Sequence, residues 1–173
     1  MSFGIGKRPY AANVGEGQHF DYYATSFEQV LPREATGGEL TVIRNTVEPG
    51  NAPPLHIHTR EDEFWVVLEG TVRFWIGAPK LEDCDTWDVE AGGFVYAPRG
   101  LPHTFDTVTS SSKVLIGAMP GALEEYFQSV GKAEGRKDKE NLALLHRFGA
   151  DAVGPPPNLH ASETFTLVKD TSH

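Results

Sequence analysis

Cysteine is nearly absent from this chain of 173 residues, which has a single thiol at Cys84. One thiol cannot form a disulfide within the chain, so other interactions must hold the fold together. Cys84 lies in a short acidic stretch, Glu82-Asp83-Cys84-Asp85, and no other cysteine accompanies it. We interpret it as a bystander and not as a catalytic thiol.

Basic residues are also few, because 15 Lys and Arg stand against 24 Asp and Glu and leave a formal net charge of −9. Nucleic-acid backbones and anionic membranes attract clustered Lys and Arg, so this balance argues against both as main partners. Long apolar runs are missing too, and no segment approaches the length needed to cross a bilayer. The first residues lack the basic-then-apolar pattern of a signal peptide. We therefore expect a cytoplasmic protein.

What the chain does contain is a series of short segments rich in β-branched and aromatic residues. Hydrophobic residues make up 39% of the chain, which suits one domain with a buried core. The strand-like segments are Glu39–Val47, Leu55–His58, Glu63–Glu69, Thr71–Ile76, Thr86–Val89, Gly93–Ala97, His103–Val108 and Val114–Met119. Turns rich in Gly and Pro separate them, a rhythm typical of an antiparallel sandwich or barrel.

The period of apolar residues changes after Met119. Four apolar residues then follow the helical spacing i, i+3, i+4 and i+7: Leu123, Tyr126, Phe127 and Val130. A second helix is predicted from about Asp138 to Phe148, and a last strand over residues 164–168. We divide the chain into an N-terminal arm packed on the barrel (1–36), a β-barrel (37–119), and C-terminal helices and tail of the same domain (120–173).

The most informative feature is a set of three histidines and one glutamate. His56 and His58 are two residues apart on a predicted strand, so both rings project from one face. Glu63 begins the next strand after a short turn, and His103 begins another strand after a Pro/Gly turn. Three imidazoles and a carboxylate without a thiolate suit one divalent transition metal such as Fe, Mn, Ni, Cu or Zn. Four protein ligands leave a coordination position open for chemistry.

A histidine on a strand is more often an ordinary polar residue than a metal ligand. We interpret the four remaining histidines in that way: His19, His146, His160 and His173. His146 would lie in the last turn of a helix, where a cation suits the helix dipole. Chance does not explain as easily why the other three accompany a glutamate and several glycines at fixed offsets.

At these residues the chain resembles the cupin family. The first cupin motif is matched by Gly50-x5-His56-x-His58-x4-Glu63-x6-Gly70, and the second by Gly92-x5-Pro98-x-Gly100-x2-His103. The family usually has Asn four residues after the last histidine, where this chain has Thr107. The resemblance implies an all-β fold, a double-stranded β-helix (jelly-roll) barrel with the metal near one mouth, and a homodimer.

A second similarity is with bacterial quercetinase-like monocupins. The segments that carry it are Thr36-Gly37-Gly38, the stretch from His58 to Gly70, and the stretch from Pro120 to Gly131. The resemblance implies a flavonol dioxygenase-like activity, with a small aromatic or enol-type substrate and dioxygen as reactants.

Strand alternation predicts which side chains surround the metal. Trp65 and Val67 share the face of Glu63, and Phe105 shares the face of His103. With Phe74 from the opposite strands, they would form an apolar wall suited to a flat organic substrate. The alternative is that these residues are only barrel core. Aromatic residues of the first C-terminal helix and of the arm would either cover the mouth or form dimer contacts: Tyr126, Phe127, Phe20, Tyr22 and Tyr23.

Three functions remain open at this point. The first is a metal-dependent dioxygenase, in which Glu63 also acts as the catalytic base toward a substrate hydroxyl. The second is a non-redox cyclase or isomerase that uses the metal as a Lewis acid. The third is a small-molecule-binding cupin without turnover.

Overall fold

The computed structural model describes residues 6–22, 25–131 and 138–157, without the side chains of residues 131 and 138–142. The strands in these ranges are β1 (His19–Tyr22), β2 (Thr25–Leu31), β3 (Thr41–Val47), β4 (Leu55–His58), β5 (Asp62–Glu69), β6 (Thr71–Ile76), β7 (Asp85–Glu90), β8 (Phe94–Ala97), β9 (His103–Thr107), β10 (Ser112–Met119) and β11 (Ala150–Gly154). Two helices follow the main run of strands, α1 (Leu123–Gly131) and α2 (Asp138–Arg147), and short 3-10 turns lie at Arg33–Thr36 and Leu81–Asp83. None of the helices in the described ranges combines the length and apolar character needed to span a membrane.

The strands form two antiparallel sheets. One sheet has six strands in the order β1-β2-β3-β10-β5-β8, and the other has five in the order β11-β4-β9-β6-β7. Neighbours in each sheet are often distant in sequence, as expected for a jelly roll. The predicted all-β cupin fold with two short C-terminal helices is thereby confirmed.

The two sheets face each other across one hydrophobic core. In β5 and β6, buried and partly exposed residues alternate, so every second side chain points between the sheets. Trp65 of β5 lies 5.4 Å, centroid to centroid, from Phe74 of β6 and 5.8 Å from Phe105 of β9. All three rings are buried, and they join the inner faces of the two sheets.

The motif glycine Gly70 is required by the turn between β5 and β6. Its φ of +76° is in the left-handed region, which side chains disfavour. A Cβ at this position would also lie 2.5 Å from Oγ of Ser112 and 2.6 Å from Oγ1 of Thr109. Thr107 belongs to the same cluster, since its hydroxyl is 2.7 Å from that of Ser112. The departure from the cupin motif at Thr107 is therefore accommodated by a local hydroxyl network.

Each of the eight strands predicted from residue 39 to residue 119 is present, with ends that differ by at most two residues. The two predicted helices are present as well. The strand predicted over residues 164–168 lies outside the described residues. Three strands were not predicted: β1, β2 and β11. Of these, β1 and β2 belong to the predicted arm and extend the six-stranded sheet beyond β3.

Helix α1 is fixed to the sheets through the buried carboxylate of Glu124. This carboxylate accepts hydrogen bonds from the backbone N–H of Arg33 and the hydroxyl of Thr41, both at 2.9 Å, and from the amide of Gln128 at 3.1 Å. The neighbouring Glu125 is exposed and pairs with the Arg33 guanidinium at 2.5 Å. Glu124 thus connects the helix to β3 and to the segment before it.

Replacing Glu124 by alanine is expected to lower the free energy of unfolding by about 2–3 kcal/mol, because buried donors lose their acceptor. The matched control is Glu125→Ala, which removes an exposed ion pair and should cost less than about 1 kcal/mol. Urea unfolding followed by circular dichroism measures both. Equal losses in the two variants would contradict the anchoring role of Glu124.

Candidate metal centre

The three histidines and the glutamate singled out in the sequence meet between the two sheets. His56 and His58 belong to β4, and His103 belongs to the adjacent β9, where it is the direct register partner of His56. Glu63 is on β5 of the opposite sheet. All four side chains are buried. The site thus brings donors from both sheets together in the interior.

The turn before His103 is joined to the strand that carries the other histidines. The backbone N–H of Gly100 donates to the carbonyl of His58 at 2.8 Å. Gly100 has a φ of +84°, a conformation that glycine adopts without strain. The Pro/Gly turn of the second motif therefore sets the position of His103 against β4.

The candidate ligand atoms of His56, His58, Glu63 and His103 all lie within 4.8 Å of one another. Oε2 of Glu63 is 2.8 Å from Nε2 of His103 and 3.3 Å from Nε2 of His58. The imidazole centroids are 4.6 to 5.4 Å apart. These distances bring three imidazoles and one carboxylate around a common centre.

Backbone carbonyls fix the orientation of two of the rings. Nδ1 of His56 donates to the carbonyl of Pro54 at 2.7 Å, and Nδ1 of His103 donates to the carbonyl of Leu101 at 3.0 Å. With the proton on Nδ1, the neutral ring presents the lone pair of Nε2 toward the centre. This tautomer is the one that a metal ion requires, so the residues fit a bound cation.

The electrostatics of the cluster also favour cation binding. Burial, together with the neighbouring imidazoles of His103 and His58, lowers the pKa of His56 to about 3, so this ring is neutral. Burial opposes the charge on Glu63, but the imidazoles of His58 and His103 outweigh it and lower the pKa of Glu63 to about 2. Burial likewise opposes the charge on His58, and the carboxylates of Glu63 and Glu61 raise its pKa. The centre therefore offers the ionised carboxylate of Glu63 beside the neutral imidazole of His56.

A cavity of about 300 Å³ opens onto this cluster. His56, His58 and Glu63 form part of its wall, whereas His103 is not part of the lining. Beside aliphatic residues and prolines, the wall contains aromatic and amide side chains, among them Tyr22, Phe27, Asn45, Phe105, Tyr126 and Phe127. Helix α1 and β1 cover one side, where the Tyr22 and Tyr126 hydroxyls are 3.2 Å apart. The aromatic residues of the helix and of the arm therefore line the cavity.

The four residues predicted to surround a substrate do not share one location. Phe105 lines the cavity, whereas Trp65, Val67 and Phe74 are buried in the core and are not part of the lining. Trp65 does point inward, and its ring lies 5.4 Å from that of His103, so it packs against the cluster from the core side. The alternation of side chains along a strand predicts which face a residue is on, but not how far along the barrel axis it lies from the cavity. That these three residues contact a substrate stays a prediction.

The histidines that were interpreted as ordinary polar residues and that the structure describes lie elsewhere. His19 is exposed on β1. His146 is also exposed, and its Nδ1 is 2.5 Å from a carboxylate oxygen of Asp151. His160 and His173 lie outside the described residues. Among the cavity residues, those of β3 and Phe27 of the arm were not predicted to line a pocket. For Tyr22, Tyr126 and Phe127 the choice between pocket and dimer contact was left open. No local spacing in the sequence connects these residues.

Known proteins resemble the chain in both sequence and fold. Residues 44–116 match the family described as Cupin domain. Quercetin 2,3-dioxygenase of Bacillus subtilis strain 168 is 22% identical over 126 residues, which are 73% of this chain and 36% of that enzyme. The chain therefore spans about a third of the length of this curated relative.

Two solved structures illustrate the likeness in fold. An oxalate decarboxylase is 22% identical and superposes with a TM-score of 0.53 over 68% of this chain and 32% of its own. The polyketide cyclase RemF from Streptomyces resistomycificus is 21% identical, with a TM-score of 0.53 over 64% of this chain and 79% of its own.

The buried His-His-Glu-His cluster indicates a single divalent metal as the cofactor. From the family match, the two facing sheets and the motif residues, we conclude that residues 44–116 form a cupin domain, and that the chain is similar in sequence to a quercetin 2,3-dioxygenase.

Proposed function

We propose that this protein is a metal-dependent dioxygenase acting on a flat aromatic or enol-type small molecule, with His56, His58, Glu63 and His103 as metal ligands. The observation that carries the proposal is a buried cluster of three imidazoles and one carboxylate, of which His56, His58 and Glu63 line an aromatic-lined cavity. The similarity to a quercetin 2,3-dioxygenase supports the same reaction class.

The cavity suits a planar substrate with few polar groups. Phe27, Phe105 and Phe127 supply apolar ring surface, and the rings of Phe27 and Phe127 are 4.8 Å apart. Asn45 is the buried amide in this wall, and it accepts a hydrogen bond from the hydroxyl of Thr25 at 3.3 Å. Such a mixture of aromatic surface and a few placed polar groups is typical of sites for small organic ligands. A sugar or a phosphate would find few partners here.

The four donor residues would hold a divalent transition metal, which when bound supplies stabilisation for an oxyanion and a centre for oxygen chemistry. The imidazoles of His56 and His103 would keep their Nε2 atoms aimed at it, because the carbonyls of Pro54 and Leu101 accept their Nδ1–H groups. The two sheets exclude bulk water from the cluster, which strengthens these electrostatic interactions.

Glu63 is proposed as the catalytic base. Its low pKa depends on the imidazoles of His58 and His103, because burial alone would raise it. A substrate hydroxyl that takes the place of this carboxylate in the cluster would weaken those contacts and leave burial as the dominant influence. The carboxylate then becomes basic enough to take the hydroxyl proton. The substrate is left as an enolate-like anion, the form that reacts with dioxygen.

Oxygen uptake by the purified, metal-loaded chain tests this function. With a flavonol, we expect one dioxygen to be consumed per substrate, and we expect a strong chelator to abolish the uptake. Separate loading with Fe, Mn, Ni, Cu and Zn shows which ion supports turnover. Substrate conversion without oxygen uptake would replace the proposal by a non-redox cyclase or isomerase. Binding without any conversion would replace it by a small-molecule-binding cupin.

A further inference from the structure

Glu61 is a buried carboxylate that is not one of the four candidate metal ligands. Its side chain is 1% exposed, and neither carboxylate oxygen has a hydrogen-bond partner among the described residues. The nearest charged partner is His58, whose Nδ1 lies 3.7 Å from Oε2 of Glu61. That nitrogen also has no hydrogen-bond partner in the described part of the chain. Two buried polar groups thus face each other just beyond hydrogen-bond distance.

His58 differs in this respect from the other two histidines of the cluster. Backbone carbonyls of Pro54 and Leu101 accept the Nδ1–H of His56 and His103. In both cases the carbonyl belongs to the residue two positions before the histidine. Nδ1 of His58 has no such carbonyl, and the side chain of Glu61 occupies the corresponding place. A histidine that binds a metal needs an acceptor here to hold its ring and its tautomer.

The charge of the site also calls for a second carboxylate. Three neutral imidazoles, one carboxylate and a divalent cation would leave a net positive charge in the interior, and a buried net charge is unfavourable. A second carboxylate behind His58 makes the sum zero. A buried carboxylate without a hydrogen bond is also unfavourable, and in the metal-free protein Glu61 has only the 3.7 Å contact with His58.

We propose that Glu61 is a positioning residue for the metal ligand His58. Its carboxylate accepts the Nδ1–H of His58, directs Nε2 toward the cation and balances the remaining positive charge. A cation on Nε2 makes Nδ1–H a stronger donor, which would draw the two groups together. This role rests on the metal site proposed above but not on the identity of the substrate.

The test compares Zn²⁺ affinity in the parent chain and in Glu61→Gln, by competition with a chromophoric chelator. We expect the dissociation constant to rise about 10–100-fold in the variant, as is usual when such a supporting carboxylate is lost. The Cu²⁺-loaded variant should also show an altered electron paramagnetic resonance spectrum at full occupancy. The matched control is Glu28→Gln, a buried carboxylate on β2 that binds the backbone N–H groups of Gly15 and Gly17, and it should leave both readouts unchanged.

Stability separates this role from a merely structural one. The metal-free Glu61→Gln chain should unfold at the same or a higher urea concentration than the parent, because a buried carboxylate that makes no hydrogen bond has been removed. Zn²⁺ affinity within about two-fold of the parent would overturn the role of Glu61 and leave the metal site in place. A loss of affinity that merely accompanies a loss of stability would also overturn it. A parent chain that binds no divalent metal would overturn the metal site and this role together.

Discussion

Replacing any one of His56, His58 or His103 by alanine is expected to lower the metal content several-fold while the fold persists. The imidazoles supply three of the four donor atoms in the cluster, so losing one removes a large part of the binding free energy. The fold depends instead on the apolar contacts between the sheets, such as those of Trp65 and Phe74. Elemental analysis gives the metal per chain, and circular dichroism reports the strand content.

The matched control for these variants is His146→Ala, because His146 is an exposed histidine that is not a member of the cluster. It should retain the metal content of the parent. Full metal occupancy in all three cluster variants would contradict the assignment of the ligands. Loss of metal together with loss of strand content would show instead that the histidines support the fold.

Replacing Glu63 by glutamine is expected to abolish most turnover, by about 10²–10⁴-fold, the usual contribution of general acid–base catalysis. Glutamine has nearly the same shape but cannot take a proton from a substrate hydroxyl. The three imidazoles should still bind metal in part. Steady-state oxygen uptake with a flavonol, compared at matched metal occupancy, measures the effect on the reaction alone.

The control on the same strand is Glu69→Gln. Glu69 is also on β5, but its carboxylate is exposed and pairs with Lys113 at 2.9 Å. This variant should turn over at the rate of the parent. If Glu63→Gln did so as well, Glu63 would be a ligand only, and another group would have to act as the base.

Much of the fold is visible in the sequence because the central strands are half buried. In β3, β5 and β6 every second residue is buried. The signal is clearest in β6, where the buried Val72, Phe74 and Ile76 are all apolar and two of the residues between them, Thr71 and Arg73, are polar. The strand β11 lacks this signal, since Ala150–Gly154 contains one β-branched residue. It becomes a strand by pairing with β4, and such tertiary pairing overrides a weak local preference.

The candidate ligands and the cavity differ in how far the sequence predicts them. His56, His58 and Glu63 lie at short offsets around β4 and β5, whereas His103 is 40 positions after Glu63 and is connected with them by the second motif. The cavity depends on contacts over long stretches of chain, such as that between Tyr22 and Tyr126, which are 104 positions apart.

Glu61 was overlooked for another reason. It lies inside the first motif but matches none of the motif positions, and only its burial behind His58 distinguishes it from a solvated acid.

The position of the metal is the most direct test of the account. Crystals of the Zn²⁺-loaded chain, measured at the zinc absorption edge, would locate the ion by its anomalous signal. We predict one peak per chain, within bonding distance of Nε2 of His56, His58 and His103 and of a carboxylate oxygen of Glu63. A fully loaded chain whose anomalous peak lies away from these four residues would contradict the account.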